Sequence, residues 1–512
     1  MDSSAQGYVT DLAYTDNYYP QHAPVTLNYL AAINGFRPRD LSDFDYCELG
    51  CGTGLSLLLH AAATPGGRFV GIDVNTEHIR QAQENAAQAG IGNLTLIAEP
   101  VGDALAGSGL PMFDFIVMHG LYTYINDAVK AQILGFIDSR LKPGGMVFVS
   151  YNALPGAAGH QALGEAMRRF AMPLTADSLE RVRLGLSYLR LMLNAQAPFF
   201  RLNPELAKYA ESLFDKDERY IAHEFFNESW NPYSLDQVAA EMHSVGLEFA
   251  GTLPLWQNHP EADVPENLAA FFASLPDRLT REAHKDFIYN TVFRSDVYIR
   301  PAGDQSQRID RKNALWNMPF ASVTPRDAVR LDVHSGALAL PLNTRDSRVV
   351  LSLIQDHAHT PAQLAAHPSL SALAPEKLIE ILCWWVLSAQ VRPAPPPGKG
   401  TPPTPACDAN TALVTRALRE SAHGKVWLAS PRFGTAFEFD RLHALALCAA
   451  SPAVDASPET HLCALIARCG LVVEEDGGPM PQAELQNLAA QLYAELESGG
   501  MLEHARQLGL TR

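Results

Sequence analysis

A short glycine-rich segment is the feature of the sequence best suited to binding a ligand. Residues 48–54 read ELGCGTG, between a predicted strand at 45–49 and a predicted helix at 55–63. Glycines let a backbone turn sharply and approach a ligand closely, and the start of a helix offers free N–H groups. The dinucleotide fingerprint G-x-G-x-x-G is not met, because the third glycine comes one position early. The segment therefore predicts a site for another nucleotide-like cofactor.

Two acidic residues follow this segment at the ends of the next two predicted strands. Asp73 ends the strand at 68–73, where a carboxylate can accept hydrogen bonds from ribose hydroxyls. Glu99 follows the strand at 94–98, where it can meet the amino group of a base. The residues predicted to bind the cofactor are Glu48, Gly50, Cys51, Gly52, Thr53, Gly54, Asp73, Val74 and Glu99.

Alternating strands and helices must position these residues. Further strands are predicted at 113–118 and 146–151, with a turn at 142–145 and helices at 76–89 and 125–141. Repeated strand–helix alternation with buried strands predicts a doubly wound α/β sheet. Ligands bind beyond the carboxyl ends of the strands of such sheets. Residues that follow the fourth and fifth strands should therefore lie beside the cofactor: His119, Gly120, Tyr122, Tyr124, Tyr151 and Asn152.

The rest of the chain is predicted to be mostly helical and to form several units. After a cofactor-binding domain at 1–155, we expect a helical connector at 156–215 and a mixed unit at 216–302, in which 286–300 form an edge strand or hairpin. Helical units are expected at 326–391 and 407–512, joined by a Pro/Gly-rich linker at 392–406. Both have the short-helix, short-helix, longer-helix rhythm of winged-helix-like modules.

Charge and composition narrow the class of protein. The 512 residues carry a formal net charge of −17, which disfavours binding to nucleic acid and to anionic membranes. No apolar run is long enough to span a membrane, and no secretory signal is visible. The seven cysteines include no C-x-x-C pair, and His223-Glu224 is followed by Asn227 where a zinc-binding H-E-x-x-H motif needs histidine. We therefore expect a cytoplasmic protein with reduced cysteines and no metal.

Several segments together resemble class I S-adenosylmethionine-dependent methyltransferases. ELGCGTG is similar to their first motif, GIDV at 71–74 to the strand that carries their ribose-binding acid, and LKPGGMVFVS at 141–150 to their fifth strand. The resemblance implies a seven-stranded Rossmann-like fold and S-adenosylmethionine as the cofactor. The positively charged sulfonium of that cofactor suits a site lined by Glu48, Asp73 and Glu99.

A narrower resemblance covers about residues 8–300. HGLYTYI at 119–125, SYNALPG at 150–156 and the segments 223–251 and 287–297 are similar to a subgroup that carries a methyltransferase regulatory domain. This subgroup includes rickettsial protein lysine methyltransferases. The resemblance implies that 216–302 are the regulatory domain, and that the aromatic segment 13–24, with Tyr14 and Tyr19, covers the cofactor.

The resemblance favours methylation of lysine side chains in a protein. His119 is then a candidate to accept a proton and to contact the cofactor, while Tyr122, Tyr124, Tyr151 and Asn152 would line the methyl-transfer site. Tyr124 replaces a tryptophan that is frequent in the subgroup, which leaves the acceptor open. The alternatives are a small-molecule methyltransferase, a cofactor-binding regulator without turnover and a nicotinamide oxidoreductase. A homodimer is also left open.

Overall fold

The structure is a computed structural model of the chain. It describes residues 9, 11–12, 17–107, 109–259, 264–302, 308–335, 338–396, 406–420, 425–450, 457–471, 474–475 and 478–511. The first eleven α-helices are α1 (Pro24–Ile33), α2 (Leu55–Ala63), α3 (Thr76–Gln88), α4 (Val101–Gly107), α5 (Asp127–Arg140), α6 (Ala158–Ala171), α7 (Ser178–Asn194), α8 (Pro198–Leu202), α9 (Pro204–Ser212), α10 (Glu218–Phe225) and α11 (Leu235–Ser244) among the described residues. The later helices are α12 (Ala269–Ser274), α13 (Arg278–Tyr289), α14 (Arg311–Leu315), α15 (Arg345–Ile354), α16 (Pro361–Ala365), α17 (Pro375–Leu387), α18 (Cys407–Glu420), α19 (Arg441–Ala449), α20 (Pro458–Arg468), α21 (Gln482–Ser498) and α22 (Met501–Gln507).

A seven-stranded mixed sheet forms the centre of the fold. Its strands are β1 (Phe44–Leu49), β2 (Gly67–Asp73), β3 (Leu94–Ala98), β4 (Phe113–Met118), β5 (Leu141–Asn152), β6 (Glu248–Leu253) and β7 (Phe293–Ile299), in the order β3-β2-β1-β4-β5-β7-β6. The first five strands are parallel, and β7 runs antiparallel to both β5 and β6. This confirms the predicted Rossmann-like methyltransferase fold.

Both faces of the sheet are covered, so its central strands are buried and mostly apolar. Every residue of β1 and β4 is buried. Because successive side chains of a strand point to opposite faces, Cys47 and Ile116 pack with α5 and α11 on one face. Tyr46 and Phe115 pack with α1 and α2 on the other. Burial on both faces explains why β1 and β4 are mostly apolar without a regular alternation, although the acids Asp45, Glu48 and Asp114 are buried within them.

The last two strands of the sheet come from the regulatory region. The sequence predicts an edge strand or a hairpin at 286–300, and this prediction is wrong. Helix α13 continues to Tyr289, and β7 then pairs with one strand on each side. Without β7, the long strand β5 would leave one row of backbone groups unpaired. The predicted turn at 142–145 lies inside the range of β5 as an irregularity of that strand, because Phe113 pairs with Leu141 and Phe115 with Met146. The regulatory region therefore completes the sheet.

The connector and the C-terminal units pack around this sheet. Helices α6, α7, α9 and α10 share one apolar cluster. Further two-stranded sheets are formed by β8 (Phe320–Ser322) with β11 (Val391–Pro393), β9 (His334–Ser335) with β10 (Leu338–Ala339), β12 (Val426–Ser430) with β13 (Thr435–Phe439) and β14 (Glu474–Glu475) with β15 (Gly478–Pro479). Strand β11 includes the first residues of the predicted linker, of which 397–405 lie outside the described residues. Within the described ranges, none of the helices is long and apolar enough to cross a membrane.

The amino-terminal segment joins the sheet to the most C-terminal unit. Tyr18 is buried, and its hydroxyl lies 2.7 Å from Thr435 Oγ1 and accepts a hydrogen bond of 2.9 Å from the backbone N–H of Ala436. Leu58 of α2 and Leu413 of α18 belong to the same apolar cluster as Tyr18. The helix that follows the glycine-rich segment is therefore packed against residues more than 350 positions later in the chain.

Candidate active site

A cavity of about 590 Å³ lies beyond the carboxyl ends of the parallel strands. It brings together most of the residues predicted from sequence, although they come from the ends of five strands and from the segment before the sheet. The predicted residues that line it are Tyr19, Glu48, Gly50, Cys51, Gly52, Thr53, Asp73, Val74, Glu99, His119, Gly120, Tyr124 and Asn152. Tyr14 lies outside the described residues.

The glycine-rich segment has a backbone conformation that explains its composition. Gly52 has a φ of +55° and Gly54 a φ of +74°, in the left-handed region that side chains disfavour. A Cβ atom on Gly52 would find open space, whereas one on Gly54 would lie 3.3 Å from Ala82 Cβ of α3. Gly54 therefore allows α2 and α3 to approach each other. It does not line the cavity, which corrects the prediction that it binds the cofactor.

Asp73 ties the end of β2 to the glycine-rich segment. Its carboxylate accepts hydrogen bonds of 2.8 Å from the backbone N–H groups of Gly52 and of Asn75. His78 Nδ1 lies 3.9 Å from the same carboxylate. Each carboxylate oxygen has a second lone pair, so Asp73 can hold the loop and still accept a hydrogen bond from a ligand in the cavity.

His119 and Tyr19 form one wall of the cavity. Their ring centroids are 3.8 Å apart, and the backbone N–H of Tyr19 donates to Ser56 Oγ at 3.0 Å. His119 Nδ1 lies 3.0 Å from Ser150 Oγ, which also accepts a hydrogen bond from the Gly120 N–H. Burial lowers the pKa of His119 to about 4. The ring is therefore neutral at pH 7 and a weak base, contrary to the expectation that it takes up protons near neutral pH.

Two predicted residues of the methyl-transfer site point elsewhere, and the structure corrects their placement. Tyr122 is fully buried and donates a hydrogen bond to Glu241 of α11. Tyr151 is also buried, and its hydroxyl donates to Asp296 of β7 at 2.6 Å. Alternation along β5 directs Tyr151 to the face opposite its neighbour Asn152, which does line the cavity. Position at a strand end is therefore not enough to place a side chain in the site.

A group of residues from the connector and the regulatory region closes the cavity, and sequence reasoning missed it. Glu224 accepts a hydrogen bond of 2.7 Å from the Tyr124 hydroxyl and one of 3.3 Å from Asn152 Nδ2. Burial raises the pKa of this carboxyl group. Beside it, the rings of His160 and Tyr209 stack at 3.7 Å. The residues from these two regions that line the cavity are His160, Tyr209, Tyr220, His223, Glu224, Val292 and Phe293.

Comparisons with known families agree with this geometry. Residues 40–178 match the family model of a methyltransferase domain, and residues 217–300 match that of a predicted methyltransferase regulatory domain. The chain is an S-adenosylmethionine-dependent methyltransferase. The resemblance inferred from the sequence motifs is thereby confirmed, and so is the cofactor.

Relatives of this methyltransferase align with different shares of its length. It is 29% identical to the uncharacterized protein sll1526 of Synechocystis sp., across 99% of both chains. It is 28% identical to the uncharacterized protein RP028 of Rickettsia prowazekii, across 42% of this chain and 88% of that protein. Its structure is similar to that of PKMT2 from Rickettsia typhi in complex with AdoHcy, with a TM-score of 0.66, 19% identity and coverage of 96% and 99% of the two chains. The last likeness shows a shared fold that includes the C-terminal units.

An unpartnered buried atom of the methyltransferase fits its cofactor. Glu48 is 5% exposed, and its Oε2 has no hydrogen-bond partner among the described residues. Burial, together with the negative charge of Asp73, raises the pKa of Glu48 to about 8. A positively charged group in the cavity would favour the ionised carboxylate. S-adenosylmethionine brings a sulfonium and an amino group, so the charge of this end of the cavity suits it.

Proposed function

We propose that this methyltransferase transfers the methyl group of S-adenosylmethionine to the side-chain amine of a lysine in a protein. One observation carries the proposal, which is the carboxylate of Glu224 among tyrosines in the same cavity as the cofactor-binding loop. A carboxylate attracts an ammonium group, and tyrosine rings attract cations by roughly 0.5–2 kcal/mol. The fold of PKMT2, a protein lysine methyltransferase, supports the same class of acceptor.

The proposal divides the cavity into two ends. At the cofactor end, Glu48 would face the positive charge, Asp73 would accept hydrogen bonds from the ribose hydroxyls, and Glu99 would meet the adenine amino group. The backbone of the glycine-rich segment would approach the cofactor closely. Tyr19 would cover the cofactor from the side of His119, against which its ring packs. At the acceptor end, the hydrogen-bonded group of Tyr124, Asn152 and Glu224 would receive the amine.

The chemistry requires mainly positioning and loss of a proton. A lysine amine has a pKa of about 10.4 in water and must be neutral before its lone pair can attack. An enclosed cavity disfavours the charged amine, and Glu224, whose own pKa is raised by burial, would accept the proton that the ammonium loses. The nitrogen then forms a bond to the methyl carbon while the carbon–sulfur bond breaks, and sulfur keeps the bonding electrons. Holding the nitrogen in line with that bond is the contribution of Tyr124, Asn152 and Glu224. Neutral His119 would support the wall.

Replacement of Glu224 by glutamine tests the acceptor end. Glutamine keeps the size of the side chain but removes the charge that would attract the ammonium. We expect E224Q to lower kcat/KM for protein lysine at least tenfold and to leave the affinity for S-adenosylhomocysteine within twofold. The matched control is E228Q, because Glu228 is an exposed acid four positions away.

Methyl transfer is measured with labelled S-adenosylmethionine and a cell extract that is later separated into protein and small molecules. Modified lysines are then located by mass spectrometry. Label found only in small molecules, or equal protein methylation by E224Q and E228Q, would contradict the lysine proposal. Tight binding of the cofactor without label in either fraction would mean that the extract lacks the acceptor. Purified proteins of the host would then be assayed one by one. Failure to label any of them would also count against the proposal.

A further inference from the structure

The residues just before α1 lie between the active-site cavity and the most C-terminal unit of the chain. Within the segment 17–22, Asn17, Tyr19 and Gln21 line the cavity. Tyr18, between two of them, is only 4% exposed and does not line it. The backbone at Tyr19 is extended, with a φ of −118° and a ψ of 89°, and neighbouring side chains of an extended chain point to opposite sides. The two tyrosines therefore face different parts of the molecule.

Tyr18 is anchored in the hairpin that β12 and β13 form. The centroid of its ring lies 6.2 Å from that of Trp427 in β12. Its hydroxyl lies 2.7 Å from Thr435 Oγ1 and accepts a hydrogen bond of 2.9 Å from the N–H of Ala436 in β13. Burial raises the pKa of this hydroxyl to about 12, so it keeps its proton at pH 7 and can donate it to Thr435. Ring packing and hydrogen bonds together fix the direction of the side chain.

Tyr19 is held in the cavity wall by its neighbours in the chain and by α2. Consecutive Cα atoms are about 3.8 Å apart, so an anchored Tyr18 restricts where the ring of Tyr19 can lie. The centroid of that ring is 3.8 Å from that of His119. The N–H of Tyr19 donates to Ser56 Oγ at 3.0 Å, and this hydroxyl donates to the backbone oxygen of Asn17 at 3.4 Å. The wall beside His119 thus depends on the path of the segment 17–22.

Helix α2 packs against the same hairpin. It begins directly after the glycine-rich segment, and its residue Leu58 shares an apolar cluster with Tyr18, with Ala429 of β12 and with Ala436 of β13. The segment 17–22, the helix that follows the cofactor-binding loop and the hairpin therefore form one packed unit. Because protein interiors are close-packed and transmit strain, the position of the hairpin affects both the loop and Tyr19.

We propose that the β12–β13 hairpin tethers the segment 17–22 over the cofactor, and that Tyr18 is the positioning residue through which it acts. The inference rests on the proposal that Tyr19 covers the cofactor, and it is independent of which acceptor is methylated. A released segment samples open conformations, and the apparent affinity for the cofactor falls with the fraction of molecules that are closed. Retention of the cofactor then depends on a contact between residues 417 positions apart. The most C-terminal unit thereby has a task in methyl transfer.

The dissociation of labelled S-adenosylhomocysteine from the full chain, chased with an excess of unlabelled ligand, tests the tether. Y18F keeps the ring and removes the anchoring hydroxyl, and it should raise the dissociation rate about fivefold, as expected for the loss of a hydrogen bond. The matched control is Y493F. It removes another buried tyrosine hydroxyl of the same unit, which donates to the backbone oxygen of Ala446 at 2.7 Å. Y493F should destabilise the fold to urea as Y18F does, but it should release the ligand at the rate of the wild type.

Deuterium exchange measures the same coupling from the hairpin. Because linked equilibria act in both directions, bound S-adenosylhomocysteine should slow exchange at the Ala436 amide, which donates to Tyr18. The slowing should exceed that at the amides of α21, which respond only to the general stabilisation by a ligand. In Y18F the difference between the two regions should disappear. A role of Tyr18 in stability alone would produce no such difference in the wild type.

Three results would overturn the proposal. The first is dissociation from Y18F at the rate of the wild type, and the second is an equal increase in Y18F and Y493F, which indicates general destabilisation. The third is a wild type in which the ligand slows exchange at Ala436 no more than in α21. Y19A separates the tether from the covering role of Tyr19. Faster dissociation from Y19A but not from Y18F would refute the tether alone, whereas unchanged dissociation from Y19A would refute the covering role and the tether with it.

Discussion

The affinity of the methyltransferase for its cofactor should depend on pH through Glu48. Burial and the charge of Asp73 raise the pKa of Glu48 to about 8, so the carboxyl group is mostly protonated at pH 7 before the cofactor binds. A positively charged ligand stabilises the ionised form. Binding at pH 7 should therefore release a proton, and the affinity should rise as the pH increases toward 8.

The size of the effect follows from the pKa. With a pKa of about 8, the ionised fraction of Glu48 is about 1% at pH 6 and about 50% at pH 8. If the cofactor binds the ionised form, its affinity rises about 50-fold over this range, which corresponds to ~2.3 kcal/mol. At pH 7 about 0.9 proton should leave the protein for each cofactor bound. The amino group of the cofactor loses its own charge around pH 8, because an α-amino group has a pKa of about 7.7–8.0, and this limits the rise in affinity near that pH.

Isothermal titration with S-adenosylmethionine, in the absence of an acceptor, measures this release. The titration is repeated at a fixed pH in buffers with different ionisation enthalpies. When the observed binding enthalpy is plotted against the ionisation enthalpy of the buffer, the slope gives the number of protons released. The control is E48Q, which keeps the shape of the side chain and cannot ionise. In E48Q we expect no release of protons at pH 7. Its affinity for the cofactor should not rise between pH 6 and 8 and should fall at higher pH. Equal proton release in wild type and E48Q, or an affinity of the wild type that does not change between pH 6 and 8, would refute the reasoning.

Two further predictions concern the loop and the contact between distant parts of the chain. D73N removes the charged acceptor beside Gly52, so S-adenosylhomocysteine should bind about 10- to 150-fold more weakly by calorimetry, as expected for the loss of about 1.5–3 kcal/mol; an unchanged affinity would exclude Asp73 from the cofactor site. Y18F removes the hydroxyl that contacts Thr435 and Ala436 and should lower the free energy of unfolding in urea by about 1–3 kcal/mol. Y18F and T435V remove the same contact, so the double variant should lose less free energy of unfolding than the sum of the losses of the two single variants. Strict additivity of the two losses would argue against a direct interaction.

The cofactor end of the site is largely predictable from the sequence. The glycine-rich segment, Asp73 and Glu99 each lie next to a strand whose apolar run identifies it. Parallel strands place their carboxyl ends along one edge of the sheet, so residues far apart in the chain meet there. The hydrogen bond between Gly52 and Asp73 across 21 positions is a direct consequence of this arrangement.

The end of the cavity that we propose for the acceptor could not be predicted in the same way. Tyr122 and Tyr124 are two positions apart in a single turn, yet one is buried against Glu241 while the other faces Glu224 in the cavity. In the sequence, Glu224 stands out only as part of an incomplete zinc-binding motif that has Asn227 in place of the second histidine. Its role depends on a contact across 100 positions, and the sequence has no local signal for such a contact.

The sequence by itself determined the fold class through its strand–helix alternation and the cofactor through its resemblance to a known family. It also predicted most of the residues that line the active-site cavity, because strand periodicity and glycine conformation are local properties of the chain. Only the tertiary structure decided which side chains face the cavity, which pKa values are shifted and which segments complete the sheet. Burial lowers the pKa of His119 and raises that of Glu48, and both shifts arise from neighbours on other strands and helices. Side-chain direction and desolvation depend on packing between distant segments, and packing becomes visible only when the chain is folded.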